Sequence, residues 1–247
     1  MHAASISLGA SGSLRDHFLG LRYIVPEYKG YLPANDSSFR IDYVGPIFWS
    51  KFEERSPEWL KTVKPDGRTI YLSFGGTGYD GKKLIALSLL LVKSGYRVVV
   101  SAANIAPVHD FPKTKNLFTT KYLPGQDVCR HVDLVVCHGG YGTMMQAFLA
   151  GTPVIAVPFN PDQLLHALRI AELGFGRCIV RYDLRPFLRP EWGSFMSLGS
   201  RVPNDRILKA VDGVLVNKKT YQEAIGKFFS GKSINGALAA AEVVESL

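Results

Sequence analysis

Apolar and polar positions follow two regimes along the 247-residue chain. From Arg68 onward, short apolar runs alternate with segments whose apolar positions recur every three or four residues. Residues 69–74 (TIYLSF), 96–103 (YRVVVSAA), 117–123 (LFTTKYL), 132–138 (VDLVVCH), 153–159 (PVIAVPF) and 176–181 (GRCIVR) read as six strands. Residues 82–95, 143–151 and 161–174 read as helices; Gly95 and Gly151 close the first two, and Pro161 with Asp162 opens the third. Continuous apolar strands separated by helices predict an α/β fold, a Rossmann-like parallel sheet of about six strands with helices on both faces. The last 45 or so residues carry helical periodicity. Ile207, Leu208, Val211, Val214 and Leu215 share one face of residues 203–216, and two more helical stretches follow to Leu247.

The first 60 residues break this rhythm. LRYIVPEYKGYLP (21–33) and FRIDYVGPIFW (39–49) hold strand-like pieces interrupted by Pro and Gly, with no complete strand–helix repeat. They read as the tail of another unit plus a linker. Residues 182–201 interleave Arg185, Arg189 and Arg201 with Phe187, Trp192 and Phe195, and read as a packed surface loop rather than a basic-aromatic contact surface.

Composition is that of a soluble globular chain, 47% hydrophobic and 20% charged. The longest apolar run, Leu84 to Val92 broken by Ser88, is too short to span a bilayer. The N-terminus lacks the pattern of a signal peptide, so a cytoplasmic location is expected. Cys129, Cys137 and Cys178 sit among apolar neighbours and read as buried free thiols; no Cys/His spacing suits zinc, so no metal site is expected. The formal charge of +8 suits phosphate-bearing ligands or an anionic membrane surface. No dense Lys/Arg block or nucleic-acid motif occurs, and no nucleic-acid partner is expected.

Residues 73–83, SFGGTGYDGKK, contain Gly76-Thr77-Gly78-Tyr79-Asp80-Gly81, a match to the G-x-G-x-x-G dinucleotide fingerprint. They also contain most of a phosphate loop, Gly76 to Lys82. Each reading fails at one residue. The second strand ends Val100-Ser101-Ala102-Ala103-Asn104, without the acidic residue that would hold an NAD ribose. Lys83 stands where a phosphate loop needs Ser or Thr for magnesium, and Asp133 begins its strand rather than ending it. A second glycine cluster, CHGGYGT (137–143), ends the fourth strand and opens a helix. Two glycine-lined strand ends at the centre of a sheet make two walls of an anion site, with the helix N-terminus supplying N–H groups and partial positive charge. No D-x-D pair occurs, so a diphosphate here is expected to be held by amides, hydroxyls and His138 without a metal.

Residues 122–176 resemble the donor-binding signature of the GT-B nucleotide-sugar glycosyltransferases, most nearly the UDP-glycosyltransferases. Tyr122-Leu123-Pro124, His138 to Thr143, Gly151-Thr152-Pro153, Pro158 and Asp162-Gln163 stand in the family's order. The resemblance covers roughly residues 40–247. It implies one half of a GT-B fold, with residues 1–45 a remnant of the N-terminal acceptor domain and linker, and 46–247 the nucleotide-sugar domain. It further implies that Gly76, Thr77, His138, Gly140, Gly142 and Thr143 hold the diphosphate. Tyr122 stacks on the base, Leu123 offers backbone contacts, Gln146 stands where many members carry a ribose-binding Glu, and Asp162 and Gln163 bind the donor sugar. Asp162 also reads as a helix cap, and the two roles can hold at once. His166 stands where Asn is common and receives no role.

The implied function is the donor half of a glycosyltransferase that moves a hexose from a UDP- or dTDP-sugar to an acceptor hydroxyl, with no cofactor beyond the donor substrate. Nothing in the first 45 residues matches the family's acceptor-activating base; His17 lacks an orienting partner. Transfer therefore calls for an acceptor-binding N-terminal domain or separate subunit. Peripheral contact with the inner face of a membrane is compatible with the charge. A UDP-sugar 2-epimerase-like domain and a non-catalytic nucleotide-sugar-binding module are the alternative readings.

Overall fold

A computed structural model describes residues 23–32, 40–48, 56–75, 80–180, 202–232 and 235–246. The chain divides into two compact units, Phe48–Lys232 and the combination of Met1–Ile47 with Ser233–Leu247.

The larger unit is built on a six-stranded sheet of β3 (Thr69–Ser73), β4 (Arg97–Ser101), β5 (Leu117–Thr120), β6 (Leu134–Cys137), β7 (Val154–Ala156) and β8 (Gly176–Cys178). Their order is β5-β4-β3-β6-β7-β8, and every pairing is parallel. The chain runs outward from β3 through β4 to β5, then returns to place β6 on the other side of β3. That reversal makes the β3–β6 boundary the topological switch point, where open α/β sheets bind ligands at their carboxyl ends. The register aligns Ser73 with Cys137, so the segments leaving β3 and β6 emerge side by side although 64 positions separate those residues in sequence.

All six sequence-derived strands are present, shortened at their ends. The helices α1 (Gly81–Lys93), α3 (Tyr141–Leu149) and α4 (Pro161–Glu172) stand where the periodicity puts them. A further short helix, α2 (Gly125–Arg130), has too few turns to show a period. On one face of the sheet, Leu84, Leu87 and Leu91 of α1 join Ile207, Val211 and Val214 of α5 (Asn204–Val216) over Ile70, Leu72, Val98, Val100 and Val136. Alternation turns Tyr71, Val99, Val135 and Cys137 to the other face. There α3 is followed by an aromatic cluster with α6 (Lys218–Phe229): Phe148 and Phe175 lie 5.1 Å apart, and Phe175 and Phe228 5.3 Å.

Asp133 has a structural role at the amino ends of the strands. Its fully buried carboxylate accepts from the backbone N–H of Gly67 (2.8 Å) and Thr69 (2.9 Å), and from the Lys218 ammonium that begins α6. It ties three segments together at the end of the sheet opposite the glycines.

In the smaller unit, β1 (Tyr23–Val25) pairs in parallel with β2 (Ile41–Tyr43), and α7 (Gly236–Glu245) completes it. Gly236 lets the first turn of α7 press on backbone: a methyl there would meet the carbonyl oxygens of Gly45 and Pro46 at 2.4 and 2.5 Å. The two units divide between Ile47 and Phe48. The last helix, however, groups with the N-terminal residues rather than with the larger domain; its apolar period does not say which surface it meets. Residues 182–201 and His17 lie outside the described residues. Among the described residues, no helix is long and apolar enough to cross a membrane.

Candidate functional site

His138 is the first residue beyond β6, and its imidazole reaches across to the segment leaving β3. Nδ1 lies 3.5 Å from the carbonyl oxygen of Ser73, an acceptor only, so Nδ1 carries the proton and Nε2 is the nitrogen left for a ligand. The ring stands between two glycines. A methyl on Gly75 would meet Cε1 at 3.1 Å, and one on Gly140 would meet Nε2 at 2.4 Å. Burial holds the His138 pKa below the ordinary imidazole value, against the opposing effect of the Ser73 contact. The ring is therefore neutral near pH 7.

Gly139 turns the chain into α3. Its φ of +85° is costly for any residue with a Cβ, and a methyl would also approach the Gln163 carbonyl to 2.9 Å. Helix α3 then begins at Gly140 with no capping side chain and no acidic residue in its first turn. Its leading N–H groups, around Gly142 and Thr143, face the end of the sheet where an anion would bind. The neighbouring helices differ. Asp80 Oδ1 accepts from Lys82 N (2.8 Å) and Lys83 N (3.4 Å), and Asn160 Oδ1 accepts from Gln163 N (2.9 Å). The Asp80 cap places a carboxylate on the N–H groups that a phosphate loop would offer to its ligand, which accounts for the failed motif. Lys82 is an ordinary first-turn residue of α1, and Lys83 has its pKa lowered, chiefly by burial.

On the other side of the switch point, Tyr122-Leu123-Pro124 joins β5 to α2. Tyr122 is 47% exposed, whereas the Leu123 side chain is buried. Gln146 of α3 lays its amide against Gly125, where a methyl would lie only 1.9 Å from Oε1. Gln146 thus sits directly beside the loop that carries Tyr122 and Leu123. A cavity of about 330 Å³ opens at the ends of β4 and β5, lined by Ala103, Asn104, Ala106, Pro107, Val108 and Lys121. Ala103 holds φ +46° there, a strained conformation for a residue with a side chain.

Asp162 and Gln163 occupy the first turn of α4 in different ways. Gln163 is nearly buried, and its Oε1 accepts from Phe159 N at 2.8 Å, fixing the loop after β7. Asp162 is 77% exposed, and the cap of α4 is Asn160 rather than Asp162. His166, one turn further, stands 3.8 Å from Asp162 Oδ1 through Nε2, with its ring 5.4 Å from that of Tyr141.

The structure therefore brings His138, Gly140, Gly142 and Thr143 to the switch point, with Gln146 beside Tyr122 and Leu123 on one flank and Asp162 with Gln163 on the other. Gly76 and Thr77 lie outside the described residues. Three further residues lie among these and have no role in the sequence-based expectation. Gly125 was signalled by its place after Tyr122-Leu123-Pro124, Tyr141 by its place inside the glycine motif, and His166 by its i+4 spacing from Asp162. Among the described residues, no group of three or more His, Cys, Asp or Glu could hold a metal ion.

Residues 90–188 match the model of the glycosyltransferase family 28 C-terminal domain. A PGL/p-HBAD biosynthesis glycosyltransferase of Mycobacterium tuberculosis is 35% identical over 153 residues, which is 62% of this chain and 33% of the relative. A sterol 3-beta-glucosyltransferase of Aspergillus fumigatus is 27% identical over 175 residues, 66% of this chain and 12% of the relative. The chain spans about a third of the length of the mycobacterial relative. In three dimensions, a UDP-glucosyltransferase from Polygonum tinctorium superposes with a TM-score of 0.67 at 18% identity, covering 94% of this chain and 55% of that one. A calicheamicin glycosyltransferase superposes with a TM-score of 0.63 at 22% identity, covering 90% and 52%.

Proposed function

Because this chain is a C-terminal domain of a GT-B glycosyltransferase, we propose that its glycine-lined sheet end binds the donor of a hexosyl transfer, a UDP- or dTDP-sugar. The diphosphate lies on the first turn of α3, against the N–H groups at the start of that helix, the Thr143 hydroxyl and His138. The base stacks on Tyr122 beside the cavity at Ala103, Gln146 takes the ribose, and the sugar points toward Asp162 and Gln163. The observation that carries this reading is His138, wedged between Gly75 and Gly140 at the switch point beside a helix start that no side chain caps.

In transfer, an acceptor oxygen attacks the anomeric carbon, and the bond from that carbon to the diphosphate oxygen breaks. The electron pair leaves on the nucleoside diphosphate. Donors aimed at the departing oxygens lower the barrier because they are in place before the charge develops. The α3 amides supply that stabilisation from the chain's own groups, without a metal, and His138 joins them once its Nε2 is protonated. The acceptor and its activating base belong to an N-terminal domain or a separate subunit, so this chain alone binds donor but transfers negligibly. The relatives named as rhamnosyl- and sterol glucosyltransferases support a hexose donor. An apolar acceptor at the inner face of a membrane fits the sterol relative and the net charge of +8.

Thermal unfolding with UDP, dTDP, GDP, ADP and NAD tests the reading. UDP or dTDP stabilises most, and His138→Ala removes the shift. Stabilisation by NAD alone, or a shift that survives in His138→Ala, contradicts it.

A further inference from the structure

Resting on that donor reading, we propose that His166 is a positioning residue of the sugar subsite: it steadies the Asp162 carboxylate at the mouth between α3 and α4, and Tyr141 steadies the imidazole in turn.

The first turns of α3 and α4 are in close approach, since a methyl on Gly139 would come within 2.9 Å of the Gln163 carbonyl oxygen. Tyr141 and Asp162 therefore border one space. The Gln163 side-chain oxygen is engaged by Phe159 N, which leaves Asp162 as the side chain of the pair whose acceptor oxygens face outward. Sugar hydroxyls donate to carboxylates, and such charge-assisted bonds are the stronger ones. An exposed first-turn carboxylate gains selectivity only if something restrains it. His166 stands 3.8 Å away with a side chain 9% exposed, and the tilted Tyr141 ring packs on it at a centroid distance of 5.4 Å.

Asp162 from its own helix and Tyr141 from α3 face the imidazole; Arg169, one turn on, pairs with Glu172 at 2.8 Å. Burial lowers the His166 pKa more than the Asp162 charge raises it. The ring is neutral at pH 7, and at 3.8 Å it restrains Asp162 by packing alone, taking neither carboxylate oxygen from the sugar. When it charges in acid, the imidazolium pairs with Asp162 and competes with the hydroxyls. The preference for sugar nucleotide over bare nucleotide then falls with pH.

Calorimetric titration of the full chain at pH 5.5, 6.5 and 7.5 reads this out, with UDP, UDP-glucose, UDP-galactose, dTDP and dTDP-rhamnose as probes. The quantity of interest is the affinity of each sugar nucleotide divided by that of its bare nucleotide. For the best sugar, the ratio in the unmodified chain drops at least threefold from pH 7.5 to 5.5. His166→Ala lowers it about fivefold at pH 7.5 while bare-nucleotide affinity, which also reports correct folding, stays within twofold. His166→Asn recovers part of the ratio and weakens its pH dependence, leaving only the part that comes from the terminal phosphate of the bare nucleotide. Bare nucleotides that bind with no ratio above one for any sugar, or variants that keep the original ratio and pH dependence, overturn the role of His166. Failure of every bare nucleotide to bind overturns the donor reading itself, and this proposal with it.

Discussion

The imidazole of His138 occupies the space in front of Gly140, so that a methyl at position 140 would lie 2.4 Å from Nε2. The backbone φ of −67° at Gly140 is open to alanine, so the nearest conflict is with the ring. Gly140→Ala is expected to swing the imidazole away from α3 and weaken UDP binding at least tenfold. Crowding of this kind costs about 1–3 kcal/mol of stability. Calorimetry with UDP and urea unfolding of the same variant measure the two effects.

Nucleotide binding is expected to take up protons. In the free chain burial keeps His138 neutral near pH 7, and Nε2 then has no hydrogen to give a phosphate. A bound dianion favours the imidazolium and raises its pKa, so affinity for UDP grows as pH falls from about 7 toward 5. Titrations near pH 6.5 in buffers of different ionisation enthalpy count the protons, and His138→Gln abolishes the uptake. The free chain shows the opposite trend. His138 and His166 both have folded pKa values below the unfolded one, so their contribution is whole above the unfolded value and is lost as pH falls through the folded one. The melting temperature without ligand therefore drops on acidification, and UDP offsets part of the drop.

Gly125→Ala tests the ribose side. A methyl there would stand 1.9 Å from Gln146 Oε1, forcing the amide off the start of α2. UDP affinity is expected to fall roughly three- to tenfold, with uracil-independent anions such as pyrophosphate unaffected. Equal losses for UDP and pyrophosphate in a titration would separate Gln146 from the ribose.

Asp133→Ala separates stability from binding. The buried carboxylate holds two backbone N–H groups and the Lys218 ammonium, and removing one partner of a buried ion pair costs about 3–5 kcal/mol. Urea unfolding is expected to show that loss. The variant, where folded, keeps the UDP affinity of the parent because Asp133 lies at the opposite end of the sheet.

Much of this architecture was legible in the order of residues. The period-based strands at 69–74 and 132–138 are β3 and β6, because buried parallel strands need unbroken apolar runs that solvent-facing segments cannot carry. The two glycine clusters were visible as strand-to-helix turns. What joins them is the register of Ser73 with Cys137, a long-range pairing that no local pattern encodes. Likewise Asp162 read as a possible cap, but Asn160 makes that bond, since neighbouring Asn and Asp compete for the same N–H groups and backbone geometry decides. The fit of Gln146 to Gly125 and of Tyr141 to His166 depends on helix packing, which sequence spacing leaves open.

Backbone amide spectra during a UDP titration locate the bound diphosphate. If the diphosphate rests on the start of α3, the largest shifts fall on the amides of Gly139, Gly140, Tyr141, Gly142 and Thr143, together with the His138 ring. A second opening of about 430 Å³, which includes Gly67, Ser94, Tyr96 and Asp212, lies away from the switch point and stays silent. Shifts centred on that second opening, or an α3 start that does not respond at saturating UDP, would contradict the account.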